Sequence, residues 1–124
     1  MSKTILIVDD HADIRRLIRM TLEFEDYEIH EASNGMEALR CIDACRPDAV
    51  LLDVMMPGGL TGLGVCRSIK ASPALAGVKV LLLSARGQAS DREAGLQAGA
   101  DAYLVKPFSP LQLIEQLAAL PVAA

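Results

Sequence analysis

Tryptophan is absent from the 124-residue chain and aromatic residues make up only 3% of it. There is little with which to stack bases, which argues against a binder of single-stranded nucleic acid. Positive charge is not in excess either. Twelve Lys and Arg stand against sixteen Asp and Glu, for a formal net charge of −4, opposite in sign to what nucleic acid or an anionic membrane attracts. No apolar run approaches the roughly 20 residues needed to cross a bilayer. The N-terminus, MSKTILIVDD, meets carboxylates before a signal-peptide core can form, so the expected setting is cytoplasmic and away from membranes. Cysteine is scarce and odd in number, at three. Cys41 and Cys45 lie four apart in a helical pattern, too far apart for an S–S bond. No CxxC motif and no His/Cys pair of metal-ligand spacing accompanies them, so buried free thiols are expected.

What is present is aliphatic. Hydrophobic residues make up 52% of the chain and the mean hydropathy is +0.31. A chain of this length can bury about two-thirds of the surface it exposes when unfolded, which fits one domain over 1–124 with its core over about 4–119. No repeat, low-complexity stretch or linker interrupts it, and the chain is expected to hold no output domain.

Five short apolar runs alternate with five helical patterns. Ile5–Val8, Ala49–Leu52 and Val78–Leu83 are apolar on nearly consecutive positions, as in parallel strands covered on both faces, and Ala102–Val105 is a fifth short run. The run Tyr27–Glu31 alternates instead, which predicts an edge strand. Between them, Ile14, Leu17, Ile18, Thr21 and Leu22 form one helical stripe, and Asn34 is placed to cap a helix carrying Ala38, Leu39 and Ile42. A third helix carries Leu63, Cys66 and Ile69 and stops before Pro73. Ser90 with Glu93 reads as the capping box of a fourth, closed by Gly99, and Ser109-Pro110 with Gln112 opens a fifth carrying Leu113, Ile114 and Leu117. The pattern is α/β, a doubly wound (βα)5 unit.

In an open parallel sheet, ligands bind beyond the C-terminal ends of the strands. Strand one ends in Asp9-Asp10, strand three in Asp53, strand four in Ser84 and strand five in Lys106-Pro107. Any one of these acids alone would most often be solvated or cap a helix. Three in one small pocket repel one another unless a cation or proton intervenes. Oxygen-only ligands suit a hard ion such as Mg²⁺. His11 is read as a surface residue at the start of the first helix, and His30 receives no role. Lys106 and the Ser84 hydroxyl suit phosphate, and a carboxylate between a metal and a lysine is a candidate nucleophile toward a phosphoryl group.

The residues that complete this pattern are Val8-Asp9-Asp10, LLDVMMPG from Leu51 to Gly58, LLLSA from Leu81 to Ala85 and GADAYLVKPF from Gly99 to Phe108. In these motifs, their order and their spacing, the chain resembles the receiver domain of bacterial two-component response regulators from Ile5 to about Leu117. The resemblance implies a flavodoxin-like sheet of order 2-1-3-4-5. It implies that Asp53 is the phosphoacceptor, served by a histidine kinase or a His-containing phosphotransfer protein. It further implies that Asp9, Asp10, Asp53 and the backbone carbonyl of Met55 hold Mg²⁺, that Ser84 and Lys106 contact the phosphoryl oxygens, and that the Lys106-Pro107 peptide is cis. Tyr103 takes the aromatic switch position, and the surface of helix four, strand five and helix five contacts a downstream protein. A phosphorylation-dependent homodimer is compatible with it. Such a domain is a switch and not a metabolic enzyme, its chemistry limited to its own phosphorylation and dephosphorylation.

Two departures from the family pattern stand out: the Pro57–Gly62 segment is one residue longer than usual, and Ser84 is the less common of the two hydroxyl residues at its position. Met55 and Arg86, two residues beyond Asp53 and Ser84, offer no carboxylate or amide to orient water, which predicts slow self-dephosphorylation. A haloacid-dehalogenase-like phosphohydrolase would need an Asp where Met55 stands. A flavodoxin-like cofactor binder would need a hydroxyl- and glycine-rich loop in place of Asp9-Asp10-His11-Ala12-Asp13, and a degenerate docking receiver would not keep all five phosphorylation residues.

Overall fold

The computed structural model describes residues 3–56, 60–85 and 87–120. In chain order they form β1 (Lys3–Val8), α1 (Ala12–Leu22), β2 (Tyr27–Ala32), α2 (Gly35–Cys45), β3 (Ala49–Asp53), α3 (Gly62–Ala71), β4 (Lys79–Ser84), α4 (Ala89–Gln97), β5 (Ala102–Val105) and α5 (Pro110–Ala119), with a short 3-10 turn at Pro73–Leu75. All strand pairs are parallel and the sheet order is β2-β1-β3-β4-β5, the order that the resemblance implied. The alternating strand β2 lies at one edge, and the three strands with consecutive apolar residues lie inside.

Consecutive apolar residues are needed because successive side chains leave a strand on opposite faces. Leu6, Val8, Val50, Leu52, Val80 and Leu82 pack with Ala38 and Ile42 of α2 and Val65, Cys66 and Ile69 of α3. Ile5, Ile7, Leu51, Leu81 and Leu83 pack on the other face with Ile18 and Leu22 of α1 and Leu113 and Leu117 of α5. Two cores, one on each face, fix the direction of every strand end.

The helix boundaries follow local chemistry where the caps are real. Asn34 Oδ1 accepts from the Glu37 backbone N–H at 2.9 Å. At α5 the Gln112 backbone N–H donates to Ser109 Oγ at 3.1 Å, while the Ser109 backbone N–H donates to Gln112 Oε1 at 2.8 Å, a complete capping box. Gly99 takes φ +95° just past α4, a left-handed conformation that glycine adopts without strain.

Three expectations are corrected. Ser90 and Glu93 do not cap α4: the helix begins at Ala89, its N-cap is Gln88 with no side-chain cap bond, and Ser90 sits inside the first turn. Leu17 is 48% exposed instead of lying in the apolar stripe, because Ile18 and Leu22, with Ile14 partly buried beside them, meet the sheet on that side of α1. Cys66 is buried, but Cys41 and Cys45 are only partly so, since they flank β2 where the sheet ends. The expectations for Arg86, for Pro57, Gly58 and Gly59 of the longer segment, and for Pro121 onward fall outside the described residues.

One close approach holds the site in place. The Gly62 backbone N–H donates to the Val54 carbonyl at 3.1 Å, and Thr61 Oγ1 caps α3 by accepting from the Gly64 N–H at 3.2 Å. A Cβ added at Gly62 would overlap the Asp53 carbonyl oxygen and lie 2.7 Å from the Val54 Cα. Those are backbone atoms that cannot rotate away. Gly62→Ala is therefore expected to destabilise the fold by about 1–3 kcal/mol, read as a lower denaturation midpoint with an unchanged m-value.

Candidate functional site

The β1, β3, β4 and β5 ends lie side by side, so the residues that end them converge. Asp9 follows β1, Asp53 ends β3, Ser84 ends β4 and Lys106 follows β5. Backbone bonds fix each one: the Asp9 N–H donates to the Ala32 carbonyl at 3.2 Å, the Val54 N–H to the Leu83 carbonyl at 3.0 Å and the Lys106 N–H to the Ser84 carbonyl at 2.8 Å. Arg15 adds a side-chain tie, donating to the Asp9 carbonyl at 2.7 Å. Asp9 and Ser84 are fully buried and Asp53 is 3% exposed. Burial of two carboxylates needs compensation.

Lys106 supplies part of it. Its Nζ lies 2.8 Å from Asp9 Oδ2 and 3.5 Å from Asp53 Oδ1. The Met55 backbone N–H donates to Asp53 Oδ1 at 3.2 Å. His11, a surface residue at the N-cap of α1 as expected, also contributes. Its ring is exposed, yet Nδ1 stands 3.0 Å from Asp9 Oδ1 and 3.2 Å from Asp10 Oδ1, and its backbone N–H donates to Asp9 Oδ1 at 2.9 Å. Its adjacency to Asp10 in sequence was the one signal for this.

The two buried carboxylates diverge in consequence. Burial pushes the Asp9 pKa up, but the Lys106 ammonium and the bonds from His11 outweigh it and hold Asp9 below the ordinary carboxylate value. Burial also pushes Asp53 up, and there the Asp9 charge adds to it and Lys106 only partly offsets it, so Asp53 stays above the ordinary value. His11 is raised by its bond to Asp9 and by the Asp10 and Asp9 charges.

The same cluster fits a hard cation. Asp9, Asp10, His11 and Asp53 each present a ligand atom within 4.8 Å of the others. Asp10 Oδ1 is a buried oxygen with no hydrogen-bond partner among the described residues, although His11 Nδ1 lies 3.2 Å away. An oxygen-rich donor set with an unsatisfied buried oxygen is what Mg²⁺ takes.

Next to the cluster is a pocket of about 160 Å³ that runs from Met55, 53% exposed, past Ser84 to Tyr103. The Tyr103 ring is half-buried against α4: a Cβ at Gly95 would lie 2.9 Å from Tyr103 Cδ2, and the Arg92 guanidinium stands 5.7 Å from the ring centroid, within cation–π range. The Lys106-Pro107 peptide bond is cis. No helix among the described residues is long and apolar enough to cross a membrane.

Residues 5–118 match the family model of the response regulator receiver domain. The chain is 47% identical to the transcriptional regulatory protein ResD of Bacillus subtilis (strain 168), over 94% of this chain and 47% of ResD. It is 41% identical to the phosphate regulon transcriptional regulatory protein PhoB of Pseudomonas aeruginosa, over 96% of this chain and 52% of PhoB. The chain thus spans about half the length of the curated relatives it matches. Among solved structures it is similar to the chemotaxis protein CheY4 of Vibrio cholerae, with a TM-score of 0.88 at 30% identity over 95% of this chain and 98% of that one. It is also similar to the response regulator DrrB of Thermotoga maritima, with a TM-score of 0.84 at 30% identity over 94% of this chain and 51% of that one. The chain belongs to the response regulator receiver domain family.

Proposed function

We propose that this chain is a single receiver unit, working in the cytoplasm, that takes a phosphoryl group onto Asp53 from a phosphohistidine of a histidine kinase or phosphotransfer protein. The observation that carries the reading is a buried Asp53 carboxylate with Lys106 Nζ 3.5 Å away, beside Asp9 at the neighbouring strand end. A carboxylate oxygen of Asp53 forms the new bond to phosphorus as the P–N bond to the donor imidazole breaks, and that imidazole takes up a proton. Lys106 supplies a compact charge for the transferred oxygens, and Ser84, at the end of the adjacent strand, supplies a hydroxyl donor. Mg²⁺ bound by Asp9, Asp10, Asp53 and the Met55 carbonyl would neutralise charge on the phosphoryl group. The raised Asp53 pKa supports the need for that cation, since burial and Asp9 both oppose its charged form.

The output follows from packing. A dianion at Asp53 gives the Ser84 hydroxyl a charge-assisted partner, and the pocket between Ser84 and Tyr103 is room for rearrangement. Helix α4 has Gly95 as its buried residue, so few apolar contacts resist a shift. The α4, β5 and α5 surface is then where a downstream protein, or a second phosphorylated copy, reads the change. Nucleic acid and membrane are not expected partners of this domain, given the chain's net charge of −4.

Intact-mass spectrometry after acetyl phosphate or phosphoramidate with Mg²⁺ is expected to show one phosphoryl group on wild type and none on Asp53→Asn, and excess EDTA is expected to prevent labelling. A labelled Asp53→Asn of similar yield would refute the acceptor assignment.

Charge repulsion gives a second expectation. Because the folded-state pKa of Asp53 is raised, its ionisation costs stability as pH rises through that value, and the cost is absent at lower pH. In EDTA at pH 7, Asp53→Asn should therefore melt a few degrees above wild type, and the gap should close as the pH falls through the carboxylate range. Asp9 has the opposite sign, its pKa being held low, so Asp9→Asn should lose stability at pH 7. Thermal melts by circular dichroism at several pH values check both.

Lifetime is the third. Met55 is expected to shield the acylphosphate, so the Met55→Asn, Arg86→Glu double variant should lose label from Asp53 several-fold faster than wild type. Timed quench and mass measurement reads the rate, and equal rates would make both side chains bystanders.

A further inference from the structure

A second group of ligating side chains lies at the opposite edge of the sheet from Tyr103 and shares no residue with the acidic pocket. His30 stands on β2, on the same strand face as Ala32, which packs toward α2. Cys41 and Cys45 stand one turn apart on α2. The three present ligand atoms that all lie within 4.8 Å of one another.

Their spacing suits a metal site, although at rest the two thiols are hydrogen-bonded to each other. The two Sγ atoms are 3.6 Å apart, far beyond the roughly 2.05 Å of a disulfide. Two thiolates each about 2.3 Å from a tetrahedral Zn²⁺ lie about 3.8 Å apart. The existing separation therefore needs little adjustment. The His30 side chain is 37% exposed, and both cysteines are partly exposed, which leaves an entry path. Glu28, two residues before His30 on the same face, has Oε2 3.6 Å from His30 Nε2 and is itself held by the Thr4 hydroxyl at 3.1 Å. A carboxylate beside a ligating imidazole orients the ring and raises its basicity.

We propose that His30, Cys41 and Cys45 bind one Zn²⁺, with water in the fourth position and Glu28 orienting the imidazole. Two thiol protons pass to solvent as the two Zn–S bonds form, and no electron transfer is involved. Soft sulfur with imidazole selects Zn²⁺ over the hard cation suited to the all-oxygen pocket. Bound there, the ion pins the edge strand β2 to α2.

The test uses the reduced full chain carrying Asp53→Asn, so that the acidic pocket is weakened, together with wild type. Competition against a chromophoric chelator is expected to show one Zn²⁺ per chain. Cys41→Ser, Cys45→Ser and His30→Ala should each weaken binding by at least about tenfold, while Cys66→Ala should not change it. Co²⁺ added to the unsubstituted chain should give thiolate-to-cobalt charge-transfer absorption, a readout that needs no variant to fold. Absence of that absorption, or Zn²⁺ binding unchanged in the Cys41→Ser, Cys45→Ser double variant, would overturn the proposal. Phosphoryl acceptance at Asp53 is measured separately, so failure of one reading leaves the other standing.

Discussion

Mutual repulsion among Asp9, Asp10 and Asp53 is the constraint on which the rest of this structure depends. The strand ends force the three carboxylates into one pocket, and two of them are almost wholly withdrawn from water. Like charges so placed cost free energy in a low-dielectric setting, and the molecule meets the cost unevenly. Lys106 sits closer to Asp9 than to Asp53, so Asp9 is settled as an anion and Asp53 is left reluctant. Asp53 is thus the carboxylate of the pocket whose electrostatic need is least met.

Keeping such a pocket intact requires a stiff frame. The two apolar cores clamp the strands from both faces, and α3 is brought against the Asp53 carbonyl so closely that only a hydrogen fits at Gly62. A small residue at that point is thus a geometric requirement of the site and not an incidental feature of a helix start. The Arg15 bond to the Asp9 carbonyl plays a similar part on the other side.

Much of this was legible in the sequence. Ile5–Val8, Ala49–Leu52 and Val78–Leu83 are apolar on almost every position because both faces are covered, and Tyr27–Glu31 alternates because it lies at an edge. Asn34 and Ser109 announce real helix starts, since each has a backbone N–H three residues on to receive. Ser90 and Glu93 carry the same spacing but fall inside α4, and a local pattern cannot say which turn of a helix it occupies. Thr61 has no acid or amide three residues later, yet its hydroxyl alone caps α3. His11 and the His30, Cys41 and Cys45 group were missed for a different reason. Their partners are set by how a loop turns and how α2 lies over β2, and sequence separation carries no trace of either.

The two flanks of the sheet are not equally firm. On one side, Glu31 accepts from both Arg15 and Arg19 at 3.1 and 2.8 Å, and Arg19 also donates to the Ile29 carbonyl at 3.2 Å, which rivets α1 to β2. On the other, α4 meets the sheet through little more than Gly95 and the Tyr103 ring. A push at the strand ends would therefore meet more resistance on the first flank than on the second. The distribution of mechanical resistance across the sheet is set before any partner arrives.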